Sequence, residues 1–308
     1  MQNLVGLFPL LSFLLNAQPN PEGLERKELT VDGVAREGLV YLPAAASNTP
    51  CPVVFIFHGH GGTAAHAAKS FCIHKLWSEA MEGRGAEPQR PDGAICGRSE
   101  AMEGRGTEPQ RPDGAIRGRS EAIVVYLQGL PTPGKLTDPE GKKSGWQSGP
   151  GHMGDRDLRL VDAVLEALAA KYKIDRKRIF CTGHSNGGAF CYLLWALRGD
   201  VFAAVAPMAA VLGDEKARAL MRAKPAFHAA GRQDPLVKFE WQQAMLDFDR
   251  KLNGCGEKGT PWGDGPALRY ESTNGAPFVT YIHPGKHELP TAALPLMVRF
   301  FMEAGEKR

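Results

Sequence analysis

The 308-residue chain predicts an α/β fold, a mostly parallel central sheet with helices on both faces, and two features of the sequence carry that expectation. Short, near-continuous apolar runs recur along the chain: 52–57, 123–127, 179–182, 202–206, 225–229 and 278–282. Strands buried on both faces read this way, because neither side of the pleat meets water. Between the runs lie stretches with helical spacing. Asp155 to Tyr172 carries Leu158, Val161, Val164, Leu165, Leu168 and Tyr172 on one face, with acidic residues in its first turn. Strands alternating with helices in this way favour a parallel sheet covered on both sides.

Taken in order, the chain opens with an apolar run from Leu4 to Leu15, too short to span a bilayer as a helix. Although no Lys or Arg precedes it and Pro9 interrupts it, the run suits the core of a secretory signal, with a cleavage point near Asn16-Ala17. Residues 1–17 are therefore expected to be a signal peptide, and the protein secreted or periplasmic. Residues 18–308 are expected to form one domain. Residues 30–42 add antiparallel edge strands, followed by the first buried strand at 52–57.

A tandem repeat then interrupts the domain. The 21-residue unit Ser78 to Arg98 is followed at once by a near copy, Ser99 to Arg119, differing only at Ala86/Thr107 and Cys96/Arg117. A third copy begins at Ser120-Glu121-Ala122 and breaks into the strand 123–127. Units of a solenoid must each bury an apolar face on a neighbour. These units are rich in Gly, Pro, Arg and Glu and cannot offset the entropy of ordering them. They are read as a disordered insertion at about 78–119 in a surface loop. What remains without leader and insertion is a comfortable size for one domain.

Beyond the 155–172 helix, Arg178 to Thr182 reads as a short buried strand and Ala189 to Leu197 as a helix. Between them sits Gly183-His184-Ser185-Asn186-Gly187-Gly188, a G-x-S-x-G sequence in a strand-to-helix setting. A serine hydroxyl is a weak nucleophile unless a sharp turn holds it clear of the backbone beside a base. The flanking positions must be tiny so that strand and helix can approach. Ser185 is thus the candidate nucleophile, with Gly183 and Gly187 as the elbow glycines. Phe239 to Leu252 is the next expected helix.

In a parallel sheet, sites gather beyond the carboxyl ends of the strands. His58-Gly59-His60-Gly61-Gly62-Thr63 follows the 52–57 strand directly. A Gly-rich turn there can aim a backbone N–H at an oxygen that becomes negative during acyl transfer. His60 is the first choice for that donor, Gly61 the next, and the N–H of Asn186 the second donor. The loop lacks the Lys-Ser/Thr ending of a phosphate loop and has no nearby carboxylate, so neither a metal nor a cofactor is expected there. Asp234 lies in a turn beyond the 225–229 strand, and His287 in the loop beyond the last strand. The order Ser185, Asp234, His287 suits a nucleophile, an acid that orients the base, and the base itself. Asp214 is the weaker candidate for the acid, and His283 is expected to pack or hydrogen-bond within the last strand.

These residues resemble the polyhydroxybutyrate depolymerase-like esterases, a group of α/β-hydrolases that includes feruloyl and acetyl-xylan esterases. The resemblance runs from about Leu39 to Pro290, skipping the insertion. Its anchors are the His58 to Gly62 loop, Tyr126 to Gly129, Tyr172 to Arg178, Gly183 to Gly188, Gly231 to Val237 and Gly285 to His287. It implies an α/β-hydrolase fold and a secreted, cofactor-free serine esterase acting on a small-molecule or polymeric ester. Two departures concern the substrate. Relatives often carry Trp-Pro close to the histidine, where this chain has Glu288-Leu289-Pro290. They also often pair the cysteine matching Cys255 with one further on, and residues 256–308 contain none.

The near-balanced charge, 37 basic against 34 acidic residues, argues against a nucleic-acid partner. Six scattered cysteines make no disulfide framework or metal spacing in a chain of this length, and Cys181 and Cys191 are expected in the core. A prolyl-oligopeptidase-type peptidase is the rival hydrolase, ranked lower because no propeller precedes these residues in the sequence. A non-catalytic binding module using the repeat is the rival of another class. The sequence does not set the oligomeric state.

Overall fold

The computed structural model describes residues 23–83, 120–134 and 137–306. The expected signal peptide lies outside the described residues, as does most of the repeat.

The chain opens on a hairpin, β1 (Leu24–Val31) and β2 (Val34–Tyr41). Asp32 and Gly33 both take positive φ, 51° and 78°. An Asp-Gly pair accepts that conformation, and its twist matches the flanking strands. β3 (Cys51–Phe57) follows, then α1 (Ala64–Phe71), α2 (Ile73–Met81) and β4 (Ile123–Leu127). A small ribbon, β5 (Leu130–Pro131) with β6 (Ser144–Gly145), leads to α3 (Arg156–Lys171), β7 (Ile174–His184) and α4 (Asn186–Leu197). β8 (Ala204–Met208), α5 (Glu215–Arg218), β9 (Ala226–Gly231) and α6 (Phe239–Leu252) come next. β10 (Thr260–Pro261), β11 (Ala267–Tyr270), β12 (Phe278–His283) and α7 (Leu294–Glu306) complete the described chain.

The ten-stranded sheet runs β1-β2-β4-β3-β7-β8-β9-β12-β11-β10. The six central strands are parallel, and the hairpins at both edges are antiparallel. β3 shows why its run is unbroken by polar residues. Val53, Phe55 and Phe57 enter a core with α3, α4 and α6, while Val54 and Ile56 enter the opposite core with α1, α2 and α7. All five are fully buried, and each such side chain contributes about 2 kcal/mol of transfer free energy.

Several boundaries differ from those the sequence suggests. β7 begins at Ile174, because its first half pairs at the sheet end while Arg176 and Lys177 stay exposed, so composition hides it. α4 begins at Asn186, since Ser185 itself is the residue at the helix entrance. α7 was not anticipated, although Leu294, Met297, Val298 and Phe301 recur at helical spacing and are buried. The repeat's N-terminal edge also shifts. Ser78 to Met81 belong to the last turn of α2, where the Ser78 hydroxyl donates to the His74 carbonyl at 3.1 Å. Trp77 Nε1 donates to the Ser120 carbonyl at 3.3 Å, and Ser78 Oγ lies 3.1 Å from Glu121 Oε1. The matching Ser-Glu-Ala segments at 78–80 and 120–122 therefore stand side by side. Cys181 and Cys191 are fully buried, as their pattern implies.

Candidate active site

The end of β7 runs into α4 with almost no turn between them. Ser185 takes φ 57° and ψ −121°, a conformation that costs a non-glycine residue of order 1–3 kcal/mol. Its N–H donates to Met208 O at 2.9 Å, fixing the strained residue against β8. A Cβ on Gly183 would sit 2.6 Å from the Gly187 carbonyl carbon. One on Gly187 would sit 2.2 Å from the Phe57 carbonyl oxygen. Both elbow positions are thus closed to any side chain by backbone.

The base and acid come from two other strand ends. The Ser185 hydroxyl donates to His287 Nε2 at 2.8 Å, and His287 Nδ1–H donates to Asp234 Oδ2 at 2.7 Å. The Asp234 side chain is fully buried and that of His287 is 14% exposed. Asp234 Oδ1 accepts the N–H groups of Leu236 and Val237 at 2.8 and 2.9 Å. Oδ2 also accepts Gln242 Nε2 at 3.1 Å. The structure therefore brings Ser185, His287 and Asp234 into one hydrogen-bonded line. Asp214 plays another part, capping α5 through the N–H of Ala217 at 2.8 Å. His283, at the end of β12, accepts the Gly285 N–H at 3.2 Å.

The loop after β3 is held by its own histidines. His58 Nδ1 donates to Gly59 O at 2.8 Å, which leaves Nε2 free to accept the N–H of Gly129 at 3.0 Å. Burial lowers the His58 pKa, so the ring stays neutral in that arrangement. His60 points away, donating from Nε2 to Thr132 O at 2.9 Å and accepting Thr137 Oγ1 on Nδ1 at 2.8 Å. Of the three candidate backbone donors to the oxyanion, Gly61 N is engaged by Ser144 O at 2.7 Å. The N–H groups of His60 and Asn186 have no acceptor among the described residues. Gly59 lies against the elbow, where an added Cβ would be 3.6 Å from Ser185 Cβ.

Two residues of this site were missed from sequence. The Asn186 side chain bonds both backbone groups of Trp146, accepting its N–H at 2.7 Å and donating to its carbonyl at 3.0 Å. Trp146 is fully buried, donates from Nε1 to His58 O at 2.8 Å, and packs on Phe57 and Phe190. It ties the elbow and the β3 loop together; a tryptophan inside a Gly/Ser-rich loop was the available signal. Gln242, the second, bridges α6 to Asp234.

A cavity of about 520 Å³ opens beside the β3 loop, lined by that loop and by His66, Ser70 and Phe71 of α1, with His184 and Leu289. The His184 ring lies 4.9 Å from that of His287, tilted at 51° to it, and its Nε2 has no partner among the described residues. Burial, and then the nearby His287, push the His184 pKa down to about 4. A neutral neighbour does not repel an imidazolium forming on His287. Among the described residues no cluster of His, Cys, Asp and Glu is placed to hold a metal ion, and no helix is long and apolar enough to cross a membrane.

Residues 140–251 match the prolyl oligopeptidase family, a span with Ser185 and Asp234 but neither the β3 loop nor His287. Among curated proteins, a bifunctional acetylxylan esterase/xylanase of Neocallimastix patriciarum is 30% identical over 105 residues, 33% of this chain and 15% of that protein. A probable feruloyl esterase C of Aspergillus terreus is 39% identical over 67 residues, 22% of this chain and 23% of that protein. The chain thus spans less than a quarter of either relative. Among solved structures, an S-formylglutathione hydrolase from Agrobacterium tumefaciens superposes with a TM-score of 0.59 at 15% identity, covering 94% of this chain and 98% of that one. The fold is that of the α/β-hydrolases.

Proposed function

We propose that the protein is a serine hydrolase of carboxylic esters, working through an acyl-enzyme on Ser185. One observation carries it: the continuous line from Ser185 Oγ through His287 to Asp234, at 2.8 and 2.7 Å, on the strained elbow of an α/β-hydrolase fold.

In this proposal His287 Nε2 takes the Ser185 proton as Oγ attacks the ester carbonyl. Asp234 holds the Nδ1–H tautomer and stabilises the imidazolium. The carbonyl oxygen becomes an anion between the His60 and Asn186 N–H groups, each such donor contributing about 3 kcal/mol in the transition state. His287 then protonates the departing alkoxide. The acyl-enzyme is hydrolysed by the same steps, with water as nucleophile and Ser185 as leaving group.

The substrate class follows the resemblance: feruloyl, acetyl-xylan or polyhydroxybutyrate esters, with the acyl group or alcohol in the cavity beside the β3 loop. Export remains part of the proposal, resting on the apolar run at residues 4–15. A peptidase is the second reading, favoured by the family match at 140–251. A fluorophosphonate probe is expected to label Ser185, and Ser185→Ala to lose labelling and at least ~10⁴-fold in ester turnover. Esterase activity persisting in that variant overturns the assignment. Assaying short-chain acyl, acetylated xylan, feruloyl and hydroxybutyrate esters beside proline-containing peptides separates the readings. Turnover of peptides with none of esters would favour the peptidase.

A further inference from the structure

Behind Asp234 a line of buried polar side chains crosses the core, and the acyl-transfer steps do not use it. Gln242 of α6 is fully buried, as are His228 of β9 and Asp249 of α6. Tyr192 of α4 lies between the last two. Gln242 Nε2 donates to Asp234 Oδ2 at 3.1 Å and to Val237 O at 2.7 Å. Gln242 Oε1 is 3.4 Å from His228 Nε2, His228 Nδ1 is 2.6 Å from Tyr192 Oη, and Tyr192 Oη is 2.6 Å from Asp249 Oδ2.

Counting protons gives this line a direction. Asp234 Oδ2 and the Val237 carbonyl only accept, so both must face the amide NH₂, and Oε1 must face His228. Oε1 also only accepts, so His228 carries its proton on Nε2. With the buried ring neutral, His228 Nδ1 accepts the one Tyr192 proton, and Asp249 supplies the proton for its contact with Tyr192. Burial agrees on both counts: it pushes the Asp249 carboxyl well above its ordinary range and the His228 ring down to about 4. Asp249 Oδ1 has no partner among the described residues, which a neutral acid tolerates far better than an anion.

We infer that Gln242 is a positioning residue for Asp234, and that the Asp249–Tyr192–His228 line reinforces the way its amide faces. With Gln242 in place, Oδ2 has one lone pair filled and the other aimed at His287. The inference rests on the proposed hydrolase, since a positioning role needs a reaction to act in.

Kinetics of Gln242→Leu and Tyr192→Phe test it. Removing the amide donor concentrates charge on Asp234, which stabilises the His287 imidazolium and moves the acid limb of the kcat/KM profile to higher pH by about half a unit or more. A fall in kcat of about tenfold with KM unchanged should accompany it, from loss of orientation. Tyr192→Phe should move both in the same direction by less. Folded variants with native kcat and an unmoved acid limb overturn the inference. Should both variants fail to fold, the unmodified protein decides. Nitrogen-15 NMR is expected to show a proton on His228 Nε2, and finding Nε2 bare overturns the inference. Labelling of Ser185 in the unmodified protein keeps the two failures apart. Without labelling the hydrolase reading falls; with labelling but unmoved kinetics, only this inference does.

Discussion

Gly187→Ala sets two physical effects against each other at one atom. Gly187 lies in the first turn of α4, where helix propensity alone makes alanine better by about 1 kcal/mol. Its added Cβ, however, would stand 2.2 Å from Phe57 O, 2.6 Å from His58 O and 2.7 Å from the Phe57 carbonyl carbon. All three are backbone atoms at the end of β3, so no rotamer change relieves them. Ordinary contact requires α4 to move away from β3 by about 1 Å, and overpacking of this kind costs about 1–3 kcal/mol or more. Contacts this close to backbone lie at the upper end of that range, so the expected net effect is a loss of about 2 kcal/mol, despite the better helix former. The same shift carries Ser185 away from His287 and the β3 loop, and a displacement of about 1 Å can cost ~10²-fold in rate. Urea unfolding and the rate of fluorophosphonate labelling measure the two consequences. Gly213→Ala, where nothing lies within 4 Å of the added carbon, is the control and should change little. A Gly187→Ala protein as stable as the parent and labelled as fast would refute the claim that backbone approach, not chain flexibility, requires glycine there.

Stability should fall steeply with acid. Burial holds the His74 and His228 rings neutral, with pKa values down at about 4. The unfolded chain takes up those protons from about pH 6.5 downward. Stability is thus full above pH 6.5 and lost towards pH 4, by up to about 3 kcal/mol for each ring. Urea midpoints at pH 7 and 4.5 check this, and equal midpoints would sink it. The repeat makes a second prediction. Deleting residues 99–119 keeps both Ser-Glu-Ala segments, at the end of α2 and before β4, and should leave the melting temperature unchanged. Deleting 78–119 leaves one segment to serve both places and should lower it; equal losses from the two deletions would refute the separate roles.

The strands and the reacting residues were legible because their signals are local. Buried parallel strands have no polar face, so β3, β4 and β12 were located to within a residue of their observed starts. Ser185, Asp234 and His287 follow the ends of β7, β9 and β12, and topology brings those ends together. What failed depends on context. The first half of β7 is polar because it lies at an exposed sheet end, and its pairing with Cys51 leaves no mark in composition. The backbone donor in the β3 loop could be narrowed only once Ser144 was seen to occupy Gly61 N. Trp146 and Asn186 hold the elbow through a contact 40 residues apart, which no periodicity encodes.

Gln242 shows the limit most sharply. Glutamine in an amphipathic helix reads as a solvent-facing residue, yet here it is fully buried against Asp234. Burying Gln242, His228, Tyr192 and Asp249 is costly, since each polar group must find a partner inside the protein. An apolar core of the same volume would fold at least as well. The polar line is therefore poorly explained by stability. Orientation explains it better, because a proton delivered by His228 to Oε1 adds to the Val237 carbonyl in keeping the amide from turning its oxygen toward a buried carboxylate. On that view the strand ends supply the reacting groups of the proposed hydrolase, and the packing of α4 and α6 on β9 decides how firmly its acid is held.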